Sequence, residues 1–201
     1  MKLARPFDAK LTRKLPFTLA SGNVVQHSLM AREGGFRYFE NDDFQAVELP
    51  YAGGDISMEV FLPKAGLDKF LATFTADNFA QWTGQMTWRR GTLELPRFKL
   101  ENDYDLKSVL ASMGMQAPFT RQADFSGMSS EPLYISWVKQ KTYVDVNEEG
   151  TEAAAVTSIG VVGYAVRHEP FHMMVDRPFF FAITEQKTGL ILFLGAIFDP
   201  R

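Results

Sequence analysis

Three histidines, His27, His168 and His172, are the side chains of this 201-residue sequence that titrate near neutral pH and also bind metals. A serine-protease-like set could be composed of Ser28, His172 and Asp176. The sequence, however, contains no Gly-x-Ser-x-Gly segment, the turn that exposes a catalytic serine in hydrolases. We therefore expect the chain not to be an enzyme and the histidines to be surface or strand residues.

Metal binding by the histidines would need a helix. His168 and His172 are spaced to share one helical face, but Pro170 between them interrupts a helix. The sequence has no cysteine, which excludes disulfides and thiolate metal sites. We predict neither a metal nor another cofactor.

The segment VNEEGTEAAAVTSIGVVGYAV, residues 146–166, combines small, acidic and β-branched residues. Glutamate and alanine favour a helix, and a helix is the alternative interpretation. The Gly150-Thr151 start and the later Thr-Ser-Ile-Gly-Val-Val run do not continue a helical stripe. The segment is instead predicted to be exposed and able to form a strand.

Composition and charge exclude several functions. The formal net charge of -3 provides no basic face, so nucleic acid is not an expected partner. No apolar run reaches the length of a membrane span, and the first residues lack the apolar stretch of a signal peptide. We expect a chain with neither a nucleic-acid nor a membrane partner.

The order of predicted elements indicates an α+β fold with mostly antiparallel sheets and few helices. Strands are predicted from apolar alternation and turn residues at Val24–Met30, Phe44–Leu49, Ile56–Leu62, Trp88–Leu100, Tyr143–Val146, Pro170–Val175, Phe179–Thr184 and Leu190–Phe198. Gly34-Gly35 is predicted to break the chain after the first of them, and Pro96 to mark an edge, bulge or strand end. Helices are predicted at Asp68–Phe74, Asp77–Trp82 and Tyr104–Met113, with Asp68, Asp77 and Asp103 as caps.

Motifs along almost the whole chain resemble those of the serpins, the serine protease inhibitor family. They are the hinge-like VNEEGTEAAAVTS, the C-terminal RPFFFAITEQKTGLILFLGAIFDP, the strand pair VELPYAGGDISMEVFLP, the run LELPRFKLENDYDLKSVLASMGM with ADFSGMS, and the start RPFDAKLTRKLPFTLASG. The resemblance implies that residues 1–201 are one partial serpin domain, the C-terminal half. The expected fold has mixed and antiparallel sheets and lacks the N-terminal helical half.

In serpins a protease attacks an exposed loop, and the cut loop then inserts as a strand into the main sheet and traps the protease. The resemblance assigns residues 148–168 to this reactive-centre loop. It implies a hinge made of Glu148, Glu149, Gly150, Thr151, Glu152, Ala153, Ala154 and Ala155. Thr151, Ala153 and Ala155 alternate on one face and are small, as burial of an inserted strand requires.

The resemblance also places the reactive bond. The usual distance from the first hinge glutamate, Glu148, reaches Tyr164, so the expected bond is Tyr164-Ala165. Tyrosine suits the deep apolar pocket of chymotrypsin-like proteases. Cleavage after Val162 by an elastase-like protease is the alternative, and Arg167 lies too far along for a trypsin-like target.

The resemblance further implies a hinge-anchoring pair between Arg97 and Glu148, because a basic residue after Leu-Pro meets the first hinge glutamate. At Leu3 the sequence departs from the tryptophan that serpins carry before the Pro-Phe motif. Since a complete serpin is about twice as long, the N-terminal half is expected on a second chain or to be lost. The resemblance implies an extracellular location.

Two functions stay open at this point. One is a suicide inhibitor of serine proteases. The other is a truncated, non-inhibitory fragment that acts as a β-rich interaction module or as a protease substrate. The hinge favours the inhibitor, because non-inhibitory serpins usually carry bulky or charged residues there.

Overall fold

A computed structural model describes residues 1–150 and 169–201 of the chain. These residues form two compact units. Unit 1 comprises Met1–Phe98 and Asp145–Arg201, and unit 2 comprises Lys99–Val144.

Strands dominate the described residues. They are β1 Arg13–Thr18, β2 Val24–Glu40, β3 Phe44–Pro50, β4 Ile56–Pro63, β5 Thr87–Pro96, β6 Phe98–Asp105, β7 Lys139–Val146, β8 Phe171–Met174, β9 Phe179–Glu185 and β10 Ile191–Ile197. Eight of them form one sheet in the order β10-β9-β4-β3-β2-β5-β8, with β1 also paired to β2. β6 and β7 form a separate two-stranded sheet. Only the β5–β8 pair within the large sheet is parallel, so the expected mixed and antiparallel α+β class is confirmed.

The long strand β2 corrects the expected break at Gly34-Gly35. Both glycines pair within the β2–β5 ladder, Gly34 with Gly91 and Gly35 with Arg90. At Gly91 a Cβ would lie 2.3 Å from the ring of Phe171, whereas a Cβ at Gly34 would meet nothing within 4 Å. Close packing therefore requires glycine at Gly91 of β5, and the pairing with β5 continues β2 through Gly34 and Gly35.

Strand β4 is more deeply buried than its alternating sequence predicts. Every residue after Ile56 is buried, so both faces of the strand are covered. Phe61 packs on one face against Phe70 and Phe79 of the helices α1 Leu67–Thr73 and α2 Ala76–Gly84. Such two-sided coverage makes β4 a central core strand, although antiparallel sheets often leave one face in water.

The expected helix caps on α1 and α2 are wrong. Asp68 and Asp77 lie in the first turns, where a carboxylate still favours the helix dipole. The cap of α2 is Thr75, whose hydroxyl accepts a hydrogen bond from the Asn78 backbone N–H. α1 starts at Gly66 without a side-chain cap.

Unit 2 contains the third helix, α3 Lys107–Ser112, which is shorter than expected. Tyr104 belongs to β6, and Asp105 rather than Asp103 accepts a hydrogen bond from the first helical N–H. The apolar stripe is not buried within the unit: α3 has no buried residue, and Met113 is 77% exposed. Gly114, with φ of 101°, follows the end of the helix, as expected.

Two turn predictions agree with the structure. β5 ends at Pro96, and Lys187, Thr188 and Gly189 join β9 to β10. In that turn Glu185 accepts hydrogen bonds from the Thr188 N–H and hydroxyl. Among the described helices, none has the length and apolar character needed to cross a membrane.

Candidate functional site

The end of β7 leads into a tight turn formed by Asn147, Glu148, Glu149 and Gly150. The Gly150 N–H donates to the Asn147 carbonyl at 3.1 Å, and the Asn147 side chain accepts from the Glu149 N–H at 3.1 Å. These short-range hydrogen bonds end the strand. They give the chain that follows a defined starting point.

Glu148 is the charged centre of this turn, and Arg97 is its partner. The Arg97 Nε donates to Glu148 Oε1 at 2.9 Å and Nη2 donates to the same oxygen at 2.5 Å. The Thr12 hydroxyl donates to that oxygen as well. Three donors from two other segments therefore converge on one carboxylate oxygen of Glu148. The Glu148 side chain is only 9% exposed.

Burial of Glu148 opposes its ionisation, but the hydrogen bonds from Arg97 and from Thr12 outweigh that effect. The pKa of this carboxyl therefore lies below its usual range. Because the carboxylate is ionised at neutral pH, the interaction with Arg97 is a charge-assisted one.

Gly150 lies against the first residues of the chain. Its φ of 106° favours glycine, and a Cβ would come within 2.4 Å of the Leu3 nitrogen. The Leu3 N–H donates to the Glu149 carbonyl at 3.1 Å, and the Phe7 N–H donates to the Glu148 carbonyl at 2.8 Å. The turn is therefore held by backbone hydrogen bonds from the N-terminal segment as well as by Arg97. We call residues 147–150, with Leu3, Phe7, Thr12 and Arg97, the loop root.

Comparison with known proteins identifies the family. A family model described as serpin (serine protease inhibitor) matches residues 1–200. The chain belongs to the serpin family.

Individual serpins match over almost the whole chain. An uncharacterized serpin-like protein of Methanosarcina mazei is 36% identical over 205 residues, which cover 100% of this chain and 48% of that protein. Plasminogen activator inhibitor 1 of Sus scrofa is 36% identical, over 97% of this chain and 50% of its own. The chain thus spans about half the length of these serpins.

A solved structure supports the fold. Thyroxine-binding globulin in complex with thyroxine superposes with a TM-score of 0.85 at 26% identity, over 99% of this chain and 53% of that one. Tengpin, a thermophilic serpin in its native state, superposes with a TM-score of 0.82 at 28% identity, over 98% of this chain and 52% of that one. The large sheet and the few helices are therefore a serpin arrangement.

The structure brings together Arg97 and Glu148, the expected hinge-anchoring pair. In the usual bidentate pair each guanidinium nitrogen bonds a different carboxylate oxygen, whereas here Nε and Nη2 of Arg97 both donate to Oε1 of Glu148. Of the other hinge residues it describes Glu149 and Gly150. Thr151, Glu152, Ala153, Ala154 and Ala155 lie outside the described residues, as do Tyr164, Ala165 and all of the expected loop 148–168 after Gly150.

The alternative catalytic set is not assembled. The Asp176 carboxylate accepts a hydrogen bond from Arg177 Nη1, and His172 Nε2 lies 3.1 Å from Glu94 Oε2. The side chains of Ser28, His172 and Asp176, all of them described, therefore have other partners and do not hydrogen bond with one another. His168 lies outside the described residues. Within residues 1–150 and 169–201, no group of three histidine and acidic side chains is placed to hold a metal.

Three members of the loop root were missed by sequence reasoning: Leu3, Phe7 and Thr12. Phe7 and Leu3 contribute backbone N–H groups, which leave no side-chain signature. Thr12 is a common surface residue type, and its partner is 136 positions away. For Leu3 the sequence offers one signal, which is the departure from the tryptophan that serpins carry at this position.

Proposed function

We propose that this serpin chain is the C-terminal half of a suicide inhibitor of serine proteases that is cleaved at Tyr164-Ala165 and inserts its hinge as a strand. The loop root carries the proposal. A buried, ionised Glu148 held by Arg97 and Thr12 keeps one end of the loop in place. Release of that end is the first step that insertion requires.

The hinge sequence supports the insertion step. Successive strand residues point to opposite faces, so Thr151, Ala153 and Ala155 share one face, and Glu152 and Ala154 share the other. The first set is small and uncharged and can enter a packed sheet at low cost. The carboxylate of Glu152 stays on the face where water can reach it.

Insertion needs sheet neighbours on both sides of the new strand. Within the described residues β7 pairs only with β6. Because related serpins are about twice as long, we propose that an N-terminal serpin half supplies the missing neighbour.

The two-stranded sheet also favours a second candidate, a non-inhibitory interaction module. A sheet of two strands leaves one edge of each strand without a strand partner in the described residues, and such edges pair readily with extended peptides. In that case a protease would cut the loop and leave freely.

Cleavage chemistry tests the target class. Chymotrypsin is expected to cut the chain at Tyr164-Ala165, and mass spectrometry of the released C-terminal peptide should show Ala165 as its first residue. A peptide that begins at Gly163 would instead indicate the elastase-like site after Val162. Either a Gly163 or a Val161 start would refute the assignment of Tyr164.

A hinge variant tests the trapping mechanism. The substitution Thr151→Arg would place an unpaired guanidinium inside the sheet. Burial of that charge costs several kcal/mol and should slow insertion. The loop should still be cut at the same bond. In the presence of an N-terminal serpin half, the variant should lose the covalent protease band on a denaturing gel and keep its cleavage rate. Glu152→Arg, on the outward face, is the matched control and should trap protease as the parent does. Equal trapping by both variants would exclude loop insertion and support the interaction module.

A further inference from the structure

β8 is a short strand at the edge of the large sheet, and it follows the expected reactive-centre loop. It comprises four residues, Phe171–Met174, and it pairs with β5 in parallel. Within the described residues its other edge has no strand partner. Parallel pairing is slightly weaker per residue than antiparallel pairing, so side-chain contacts contribute a large share of what holds β8 in place.

Aromatic packing fixes one face of β8. Phe171 is buried, and its ring stacks on the ring of Tyr38 of β2 with 3.8 Å between the centroids. The ring also lies over Gly91 of β5, where a Cβ would come within 2.3 Å of it. Burial raises the pKa of the Tyr38 hydroxyl above its usual range, so this face of β8 does not change its charge near neutral pH.

The opposite face of β8 carries His172, which meets a buried carboxylate. Successive residues of a strand project to opposite faces, so His172 points away from the Phe171 side. Its Nε2 lies 3.1 Å from Glu94 Oε2 of β5, and the Glu94 side chain is only 3% exposed. Arg13 Nη2 of β1 donates to Glu94 Oε1 at 2.7 Å. Arg13 and His172 therefore each take one oxygen of Glu94, from opposite sides.

The strand order brings these three side chains together. Ala31 of β2 pairs in register with Glu94, and its small side chain leaves room for Arg13 of β1 to reach Glu94 across β2. Thr92 pairs in register with His172, and Glu94 lies two residues further along β5 on the same face. The contact between His172 and Glu94 is therefore set by the sheet and not by neighbouring sequence.

Other polar groups around β8 have partners of their own. Gln45 of β3 donates to the His172 carbonyl at 3.0 Å and carries no charge. Other charged side chains near β8 pair with one another, Arg90 with Glu33 and Asp176 with Arg177. The charge of the His172 imidazole is therefore felt first by the Glu94 carboxylate.

We propose that His172 is a pH-sensitive positioning residue of the reactive-centre loop: its protonated imidazole donates to Glu94 and holds β8 on β5, and this hold weakens as the pH rises. Histidine is the side chain whose charge ordinarily changes between pH 5 and pH 8. A charge-assisted hydrogen bond is roughly twice as strong as a neutral one, and little water competes at a carboxylate this buried. Only Glu169 and Pro170 separate β8 from the expected loop, so the loop's C-terminal end depends on how β8 is held.

The two ends of the loop should respond differently to pH. At the loop root, burial opposes the charge of Glu148, but the hydrogen bonds from Arg97 and Thr12 hold its pKa below the usual range. That contact keeps its charges between pH 6 and pH 8, whereas His172 loses its charge over this interval. The importance of both ends for a reactive-centre loop rests on the proposed function, but the pH dependence of β8 pairing does not.

Hydrogen exchange of backbone amides, corrected for the intrinsic pH dependence of exchange, tests the proposal on the 201-residue chain. The Val175 N–H, which donates to the Glu94 carbonyl at 2.8 Å, reports on β8, and the amides of the buried strand β4 report on the whole sheet. Between pH 6 and pH 8 we expect protection at Val175 to fall about tenfold more than protection in β4, as loss of one charge-assisted hydrogen bond allows.

His172→Gln keeps a hydrogen-bond donor but cannot titrate, so this difference between pH 6 and pH 8 should disappear. His27→Gln is the matched control, because His27 Nε2 lies 2.6 Å from the uncharged Arg97 carbonyl, and the difference should remain. Near-UV circular dichroism checks that each variant is folded, and the parent measurement decides the matter even if a variant does not fold.

Three outcomes would each overturn the proposal. They are protection of β8 that stays level with β4 or rises in the parent, an unchanged difference in folded His172→Gln, and loss of the difference in folded His27→Gln. None of these measurements involves a protease. A failure here is therefore distinguishable from a failure of the trapping mechanism, which the hinge variants test.

Discussion

Unit 1 and unit 2 differ most clearly in how they bury apolar side chains. In unit 1, β4 is buried on both faces, and the Phe61 ring lies near the rings of Phe44, Phe70, Phe79, Trp82 and Phe180. All of unit 2 is described, and its buried apolar side chains are Phe119 and Val144. Unit 1 has a core of its own, and unit 2 does not.

Exposed apolar side chains show the same contrast. Unit 2 exposes nine large ones, namely Tyr104, Val109, Met113, Met115, Met128, Leu133, Tyr134, Trp137 and Tyr143. The contrast teaches that strand content alone does not make a stable unit, because stability comes from the area buried between layers.

Removing a core ring should have the largest effect. Phe61→Ala deletes a fully buried side chain, so we expect the free energy of unfolding to fall by about 3–5 kcal/mol. Trp137→Ala in unit 2 removes a 63% exposed side chain and should cost less than about 1 kcal/mol. Urea unfolding followed by circular dichroism measures both. Similar losses would mean that unit 2 is as well packed as unit 1.

The pH dependence of the free energy of unfolding should give the second-largest difference between the two units. Glu59 in unit 1 has its pKa raised from 4.5 to about 7, so between these values the folded state binds more protons than the unfolded state. Its contribution to stability is present at low pH and is lost as the pH rises through 7, by roughly 2–4 kcal/mol. Glu59→Gln should remove this loss from urea unfolding curves at pH 5 and pH 8. Asp103→Asn, at an exposed carboxyl of unit 2, should not change it. An identical pH dependence in the parent and Glu59→Gln would contradict the assignment.

The loop root should show an intermediate effect. Glu148→Lys places two cations together and leaves the Thr12 hydroxyl without its acceptor, so we expect a loss of about 1–3 kcal/mol. The released loop should also promote polymers, visible as a ladder on a native gel after mild heating. Glu149→Lys, at the exposed neighbour, is the control and should stay monomeric. A Glu148→Lys protein that remains as monomeric as the control would show that Arg97 does not hold the loop closed.

The ion pair of unit 2 should matter least. Lys141 Nζ lies 3.5 Å from Asp103 Oδ2, and the lysine side chain is 80% exposed. Lys141→Ala should therefore change the free energy of unfolding by less than about 0.5 kcal/mol. Arg37→Met in unit 1 should cost more, because it leaves the buried Glu48 without its cation. Thermal unfolding measures the loss of stability in both variants. A larger loss for Lys141→Ala than for Arg37→Met would contradict this ranking.

Local patterns were sufficient for strands that are rich in apolar residues and bounded by turn residues. β3, β4 and β9 were predicted to within two residues at each end, and so was the turn from β9 to β10. β1 was missed, because Lys14, Pro16 and Thr18 interrupt its apolar residues and its pairing with β2 is what makes it a strand. Gly34-Gly35 was misread for the same reason: its pairing with Gly91 and Arg90 continues the strand through the two glycines.

The candidate site divides in the same way. The sequence by itself determined the family motifs, the small residues of the hinge and the expected partner of Glu148, because these depend on residue identity and order. Only the tertiary structure decided that Thr12 shares the Glu148 oxygen, that Leu3 and Phe7 hold the turn, and that Glu59 lies buried with one oxygen free. Those outcomes depend on distances between segments far apart in the chain, and burial and hydrogen bonding arise only when the strands are brought together.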